Sequence, residues 1–252
     1  MPRPIPSPDW YKQCIDDLMG SVPPPQAVDH DGISDFRFRE QTIQQAILLK
    51  AVKYVSGLNA GDVLLKQGFL HELGILRRTL HEVKTDVMFL AKAISSDEYT
   101  EGHKRFLKNF WNELHTLEEL NSPSTNKNNV QQRDIRDYII GESPGEDTER
   151  IEETLKHLTH LYSGFIHGAS AHIMDIYNHK TTKFDLSGIR NRSIRRDYEY
   201  DWEDCHFMGA ILMLDAASAL RKDQVCQRAI AMLEELTPHY IKNAPQFPAR
   251  RL

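Results

Sequence analysis

The stretch FLHELGILRRTLHEVKTDVMFL, residues 69–90, decides the fold of this 252-residue chain. Its large apolar side chains recur every three or four residues and form one seam, which comprises Phe69, Leu73, Leu76, Leu80, Val83, Val87 and Leu90. This spacing places them on one face of an α-helix. We therefore predict a helix from about Val63 to Ile94 that packs against other helices along this seam.

Helical periodicity continues on both sides of this stretch, whereas strand patterns are scarce. The glycines of SGLNAGD, residues 56–62, predict the end of the preceding helix, with Asp62 capping the next one. Ser95 and Glu98 have capping-box spacing and predict the start of a further helix that ends before Asn121. The other predicted helices cover residues 8–19, 35–55, 134–140, 148–179, 202–221 and 222–236.

These elements define an all-α fold, a bundle of long antiparallel helices with an N-terminal helical appendage. Residues 1–32 contain the first helix and a proline-rich linker, SVPPPQAVDHDG. Residues 33–236 form the helical-bundle domain, and residues 237–252 form a C-terminal tail. Proline-rich linkers are extended and separate domains, so we expect the first helix to stand apart from the bundle.

Charge and cysteine content narrow the functional classes. The formal net charge of -5 argues against a surface built as a whole to hold nucleic acid, so we expect no DNA partner. Three widely separated cysteines outside any CxxC spacing are typical of a reducing compartment. The N-terminal residues lack the apolar core of a signal peptide, and Asp215 interrupts the longest apolar run. We predict a cytoplasmic protein without a membrane partner.

The segment HLYSGFIHGASAHIMD, residues 160–175, is unusually rich in histidine and small residues for a helix. It lies in the predicted helix 148–179, where two stripes fall on different faces and indicate neighbours on both sides. Glycine costs about 1 kcal/mol relative to alanine inside a helix. Gly164 and Gly168 therefore predict the close approach of another helix.

Two short motifs carry the main functional hypothesis. RTLHE places Arg78 and Glu82 one helical turn apart, and YSGFIHG holds Tyr162, Ser163 and His167. This combination resembles a family of uncharacterised prokaryotic all-helical proteins that are similar to the HEPN superfamily of helical ribonucleases and toxins. The resemblance covers about Asp35 to Arg221.

The resemblance implies that Arg78, Glu82 and His167 converge, with Tyr162 and Ser163 as ligand-binding residues. A guanidinium held by a carboxylate beside an imidazole can bind a phosphate and move a proton. These roles suffice for metal-free RNA cleavage through the 2′-hydroxyl, in a toxin or defence setting. Alternatively, Glu82 orients His167 within a buried polar cluster that only holds the helices together.

A second pair of residues is the alternative catalytic candidate. Active HEPN proteins resemble one another in an arginine followed, after four to six residues, by a histidine. Arg150 and His157 have this spacing, and seven residues return both side chains to the same helical face. The polar residue that usually follows the arginine is replaced here by Ile151. Chance spacing is the alternative interpretation.

The stretch GIRNRSIRRDY contains the arginines predicted to bind ligand phosphates, Arg190, Arg192, Arg195 and Arg196. We expect an irregular connection here, with Tyr198 and Trp202 near enough to stack on bases. The alternative is a solvated run that the neighbouring acidic residues neutralise.

Metal and cofactor patterns are weak. Glu203 and His206 form a Glu-x-x-His motif with no second clear copy, so a di-iron centre is not expected. We predict no cofactor and no dedicated metal site, although scattered histidines leave a zinc site open.

The sequence supports two alternative functions. The first is a HEPN-like protein that acts on RNA, and the second is a catalytically inert helical interaction module; a homodimer is expected in either case.

Overall fold

A computed structural model describes residues 4–30, 33–112, 130–141 and 163–242. The described helices are α1 (Pro8–Met19), α2 (Ile43–Gln67), α3 (Leu70–Ser95), α4 (Glu101–Trp111), α5 (Gln132–Ile140), α6 (Ser170–Met174), α7 (Arg192–Ala219) and α8 (Asp223–Lys242). Two antiparallel hairpins are formed by β1 (Gln26–His30) with β2 (Ile33–Arg37), and by β3 (Tyr177–Asn178) with β4 (Lys183–Phe184). The all-α prediction is confirmed.

The predicted boundary between the second and third helices is wrong. Residues 56–62 remain helical, and α2 continues to Gln67. Gly57 and Gly61 serve close packing, because a Cβ on Gly57 would lie 2.5 Å from a Leu80 methyl group. The true end of α2 is Gly68, whose φ of 84° is left-handed and favours glycine.

The core lies between α2, α3 and α7. The predicted seam of α3 points inward, and Leu73, Leu80, Val83, Val87 and Leu90 are buried. From α7, the buried side chains include Trp202, Leu212 and Met213. Burial of a large aliphatic side chain contributes about 1.5–3 kcal/mol, so this contact dominates the stability of the fold.

The first helix is confirmed at residues 8–19, with the Ser7 hydroxyl accepting a hydrogen bond from the Trp10 amide. Tyr11, Cys14 and Leu18 are completely or almost completely buried. The Tyr11 hydroxyl donates to the His206 carbonyl at 2.7 Å, and Arg228 pairs with Asp17 at 2.9 Å. The helix expected as an appendage thus packs into the same core as α7 and α8.

Two predicted helix starts are displaced by capping groups. Residues 35–42 are not helical, because 33–37 form β2 and a Thr42–Gln45 capping box begins α2. Ser95 belongs to α3, and α4 begins instead at Thr100, whose backbone amide donates to His103 Nδ1 at 3.1 Å. The short helix expected at 134–140 is confirmed as α5.

The single helix predicted from 148 to 179 is wrong in its described part. Residues 163–166 are helical, but the chain turns at His167 and Gly168, where φ is 61°. Short helix α6 and the β3–β4 hairpin follow. The close approach at Gly164 comes from His172 of α6, within the same segment. Residues 148–162 lie outside the described residues.

The connection expected to be irregular up to Trp202 is largely helical. Asn191 caps α7 by accepting a hydrogen bond from the Ser193 amide at 3.0 Å, so the helix starts at Arg192. The closing helix α8 runs beyond 236 to Lys242. Within the described ranges, no helix is both long and apolar enough to cross a lipid bilayer.

Candidate functional site

The candidate site forms where the segment 163–176 lies against α3 and α7. Phe165 fills the space above Gly74, where a Cβ would be 2.5 Å from the phenyl ring. Its ring stacks on His172 with centroids 3.9 Å apart and lies 6.2 Å from the ring of Tyr198. The Tyr198 hydroxyl also donates to Asp175 Oδ2 at 3.1 Å. The segment that contains YSGFIHG therefore contacts α3, the helix that contains RTLHE, through Phe165.

Arg78 and Glu82 form the ion pair that their spacing predicts. Arg78 Nε donates to Glu82 Oε1 at 3.1 Å, and a terminal nitrogen lies 3.0 Å from the same oxygen. The side chains are 23% and 39% exposed, so solvent reaches both. Arg78 lies four residues after Gly74 and thus shares the face of α3 that Phe165 covers. Ion pairs that are partly exposed contribute little to stability.

His167 follows Phe165 by two residues and is exposed at the turn after residues 163–166. Its backbone amide donates to the carbonyl of Ser163, a partly buried residue, at 3.0 Å. The fold thus brings the segment holding Ser163 and His167 to the Gly74–Arg78 face of α3. The other three predicted residues, Tyr162 and the reserve pair Arg150 and His157, lie outside the described residues.

His81 lies one turn after Arg78 and is surrounded by cations. Burial, followed by Lys84, Arg136, Arg77 and Arg78, lowers the pKa of this imidazole from 6.5 to about 4. It is therefore neutral at pH 7. Arg77 reaches across to α7, where it lies 2.6 Å from Asp201 Oδ2. The ion pair of Arg77 with Asp201 thus joins this part of α3 to α7.

The arginines of the second predicted ligand site lie around the start of α7. Arg190, Arg192 and Arg196 are exposed, and Arg195 lies 3.7 Å from Glu199. The first turn of α7 contains no acidic residue. Cations at a helix N-terminus are unfavourable by about 0.3–1 kcal/mol each. Helix stability therefore does not account for this placement, whereas an anionic partner would.

A polar cluster that the sequence analysis missed joins α2 to α7. Asp62 Oδ1 accepts from Trp202 Nε1 at 2.8 Å and lies 3.1 Å from His206 Nε2. Burial alone would raise the pKa of the Asp62 carboxyl, but the bonds to His206 and Trp202 lower it. Only the local spacing of Glu203 and His206 was visible in the sequence. The partner lies about 140 residues away, so no short-range pattern could have found it.

Cysteine and metal chemistry find little support in the described residues. Burial raises the pKa of the Cys205 thiol to about 12 and also raises that of Cys14. Thiols that remain protonated are poor nucleophiles. Among the residues that the structure describes, no group of three or more histidine, cysteine or acidic side chains is arranged to hold a metal ion.

Comparison with known proteins adds no relative. The sequence matches no family model, and no curated protein or solved structure matches it. The likeness to the HEPN superfamily stays a prediction, and the candidate site is argued from its own geometry.

Proposed function

We propose that this protein cleaves RNA without a metal ion, at a site formed by Arg78, Glu82 and His167. One observation carries the proposal: Phe165 of the YSGFIHG motif packs on Gly74, one turn before Arg78. An exposed imidazole and a solvent-accessible guanidinium thus belong to two segments in direct contact. The exposed arginines before and within the start of α7 supply further positive charge for a polyanion.

Each group has a chemical role in this reaction. His167 removes the proton from a ribose 2′-hydroxyl, whose oxygen then attacks the adjacent phosphorus. The bond from phosphorus to the 5′-oxygen breaks, and the imidazolium returns its proton to that oxygen. The products are a 2′,3′-cyclic phosphate and a 5′-hydroxyl. Arg78 stabilises the charge on the phosphoryl oxygens, and Glu82 holds the guanidinium in place.

The setting of this activity is also part of the proposal. We infer a toxin or defence role, as the HEPN resemblance implies, and we also propose that the protein is a cytoplasmic homodimer. Ser163 and Tyr162 would contact the substrate beside His167. If the first site is inactive, Arg150 and His157 are the next residues to replace.

The test is RNA cleavage by purified protein in EDTA. We expect Arg78→Ala and His167→Ala each to reduce the rate by about 100-fold or more, since a positioned base contributes about 10²–10⁴-fold. Two matched controls should retain the rate of the wild type. Arg77→Ala removes the neighbouring arginine, which pairs with Asp201, and His239→Ala removes an exposed histidine on α8. Circular dichroism checks that each variant is folded.

Unchanged cleavage in both folded variants would overturn the assignment to Arg78 and His167 and direct attention to Arg150 and His157. The catalytically inert interaction module is the second candidate. It is favoured by five exposed large apolar side chains in one stretch of chain, namely Ile166, Ile173, Met174, Phe184 and Leu186. Exposed apolar clusters mark protein contacts. No cleavage by the wild type, together with unfolding of the variants, would support this module.

A further inference from the structure

The β3–β4 hairpin presents an aromatic ring to solvent. Tyr177 pairs with Phe184 across the two strands, and their ring centroids are 5.3 Å apart in an edge-to-face arrangement. Phe184 is nevertheless 47% exposed, and Leu186 beside it is 79% exposed. An exposed ring that is supported from one side by another ring leaves an open face on which a further planar group can stack.

The base of this hairpin is held firmly to the bundle. The Asp185 amide donates to the Ile176 carbonyl at 2.9 Å, and Asn178 Nδ2 donates to Asp185 Oδ2 at 3.1 Å. The Ile189 amide donates to the Gly68 carbonyl at 2.8 Å, which joins the end of the segment to the α2–α3 turn. A ring that is already fixed in place loses little entropy when it binds a ligand.

The segment that carries the ring is rich in positively charged residues. Residues 177–196 contain six lysines and arginines but one acidic residue, in a chain of net charge -5. Lys180 lies within the hairpin turn and Lys183 on β4. Both side chains are exposed and form no ion pair with any residue that the structure describes. An exposed aromatic ring with cations nearby in the chain is the combination that single-stranded nucleic acids bind.

The β1–β2 hairpin provides an internal comparison. It also exposes a phenylalanine, Phe36, at 65%. Residues 26–37, however, contain three aspartates and one arginine, and that Arg37 pairs with Asp35 at 2.5 Å. An exposed ring alone therefore indicates no particular ligand here. The basic surroundings distinguish Phe184.

Charge also argues against a second copy of this chain as the occupant of this face. An isologous interface repeats the same surface on both subunits. It would therefore set the six cations of residues 177–196 against the same six in the partner, and like-charge contacts are costly. A polyanion meets no such penalty.

We propose that the β3–β4 hairpin is a base-stacking arm, in which Phe184 stacks on an unpaired RNA base while Lys180 and Lys183 contact the adjoining phosphates. The proposal rests on the proposed function for the choice of RNA as the ligand. Bases within a duplex already stack on one another, so the arm selects single-stranded segments. Between His167 and the α7 arginines in the chain, it would hold the strand beside the catalytic residues.

The test separates binding from cleavage by using an RNA that cannot be cut. A fluorescent 2′-O-methyl oligonucleotide of about 12 nucleotides is within the usual range of binding-site sizes, and it lacks the attacking hydroxyl. Its affinity is measured by anisotropy, both as a single strand and as a duplex. We expect tighter binding of the single strand by the wild type.

Variants then locate the surface. Phe184→Ala should weaken binding about tenfold, as expected for one lost stacking contact, while Phe184→Tyr and the control Phe36→Ala should bind like the wild type. The double variant Lys180→Gln/Lys183→Gln should lower the slope of log affinity against log salt by about one to two. The tyrosine and lysine variants keep the test decisive if the alanine variant disturbs the hairpin.

Each outcome has a distinct meaning. Equal affinities of Phe184→Ala and Phe36→Ala would overturn the arm, and the cleavage proposal would stand if the wild type still cuts unmodified RNA. Binding through Phe184 without cleavage would retain the arm and overturn the nuclease. Absence of binding would also overturn the arm. Dissociation of a dimer by Phe184→Ala at unchanged RNA affinity, measured by light scattering, would assign the face to a second copy instead.

Discussion

Trp202 and Phe165 make the same kind of contact in two different settings. Each ring packs against a glycine of a long helix, Trp202 against Gly61 of α2 and Phe165 against Gly74 of α3. A Cβ would come within 2.0 Å of the first ring and 2.5 Å of the second. Both glycines therefore make room for an aromatic ring, and the difference lies in the residues that surround each ring.

Trp202 is 2% exposed, and its indole nitrogen is bonded to Asp62. Its neighbours one turn away, Cys205 and His206, are buried too. Phe165 is followed by two exposed residues, Ile166 and His167, and its nearest ring partner belongs to its own segment. Trp202 packs within the core, whereas Phe165 attaches to α3 a surface segment that carries the candidate site. Stability and function can therefore be separated by mutation.

The largest effect is expected from truncating the two rings. Trp202→Ala should lower the free energy of unfolding by about 4 kcal/mol, because a cavity forms that α2 and α7 cannot fill. Phe165→Ala should cost about 2 kcal/mol, since a surface segment can settle into the space. Urea denaturation monitored by circular dichroism measures both values. Equal losses in the two variants would contradict the proposed difference between the Trp202 and Phe165 contacts.

Acid should have an effect between those of the two ring variants, and it tests whether water reaches the face of α3 that Phe165 covers. The pKa of His81 is lowered to about 4, so above pH 6.5 the imidazole is neutral in both states. As the pH falls from 6.5 to 4, the unfolded chain takes up a proton that the folded protein resists. Stability should fall by about 3 kcal/mol over this range.

The control for this acid effect is His81→Gln, in which that part of the pH dependence should vanish. Phe165→Ala should reduce it, because water would reach His81 two turns along from Gly74. Trp202→Ala should leave it unchanged. An identical pH dependence in His81→Gln and the wild type would show that another group causes the acid loss.

Smaller changes at the two glycines sharpen the comparison. Gly61→Ala should cost about 2 kcal/mol through overpacking against a fixed indole, even after the gain in helix propensity. Gly74→Ala should cost about 1 kcal/mol, because the Phe165 segment can shift. Thermal unfolding of both variants checks the order. A larger loss for Gly74→Ala would mean that the site segment is the more rigidly packed region.

The smallest effect is expected at the hairpin. Phe184→Ala and Phe36→Ala should each change the free energy of unfolding by no more than about 0.5 kcal/mol, as for exposed side chains outside the core. A loss above 1 kcal/mol in Phe184→Ala alone would indicate that the ring supports the fold.

The sequence predicted the parts of the fold that depend on helical periodicity. The α3 seam, α1 and α5 follow from apolar spacing and local caps, and the Arg78–Glu82 pair follows from its four-residue separation. Glycine was the main source of error. Glycine is common both at helix ends and at close helix contacts. The sequence around Gly61 therefore predicts a helix end, whereas the structure explains this glycine by its contact with Trp202, far along the chain.

The candidate site was less predictable for the same physical reason. The turn at Gly168 was hidden within a periodic apolar pattern that continues on both sides. The contacts of Asp62 with Trp202 and His206 and of Gly74 with Phe165 join distant parts of the chain. Neither spacing nor composition encodes them. The contact of Phe165 with Gly74 was not predicted. The convergence of Arg78, Glu82 and His167 that the resemblance implies stays a prediction.

The junction of Gly68 and Gly188 should couple two parts of the chain in evolution, because it joins them closely in space. A Cβ on Gly68 would lie 2.6 Å from the Ile189 carbonyl oxygen, and one on Gly188 would lie 2.1 Å from that of Gln67. Neither position tolerates a side chain while the other stays in place. Homologous chains should therefore retain both glycines or lose them together, and a lengthened α2–α3 turn should coincide with a rebuilt hairpin base.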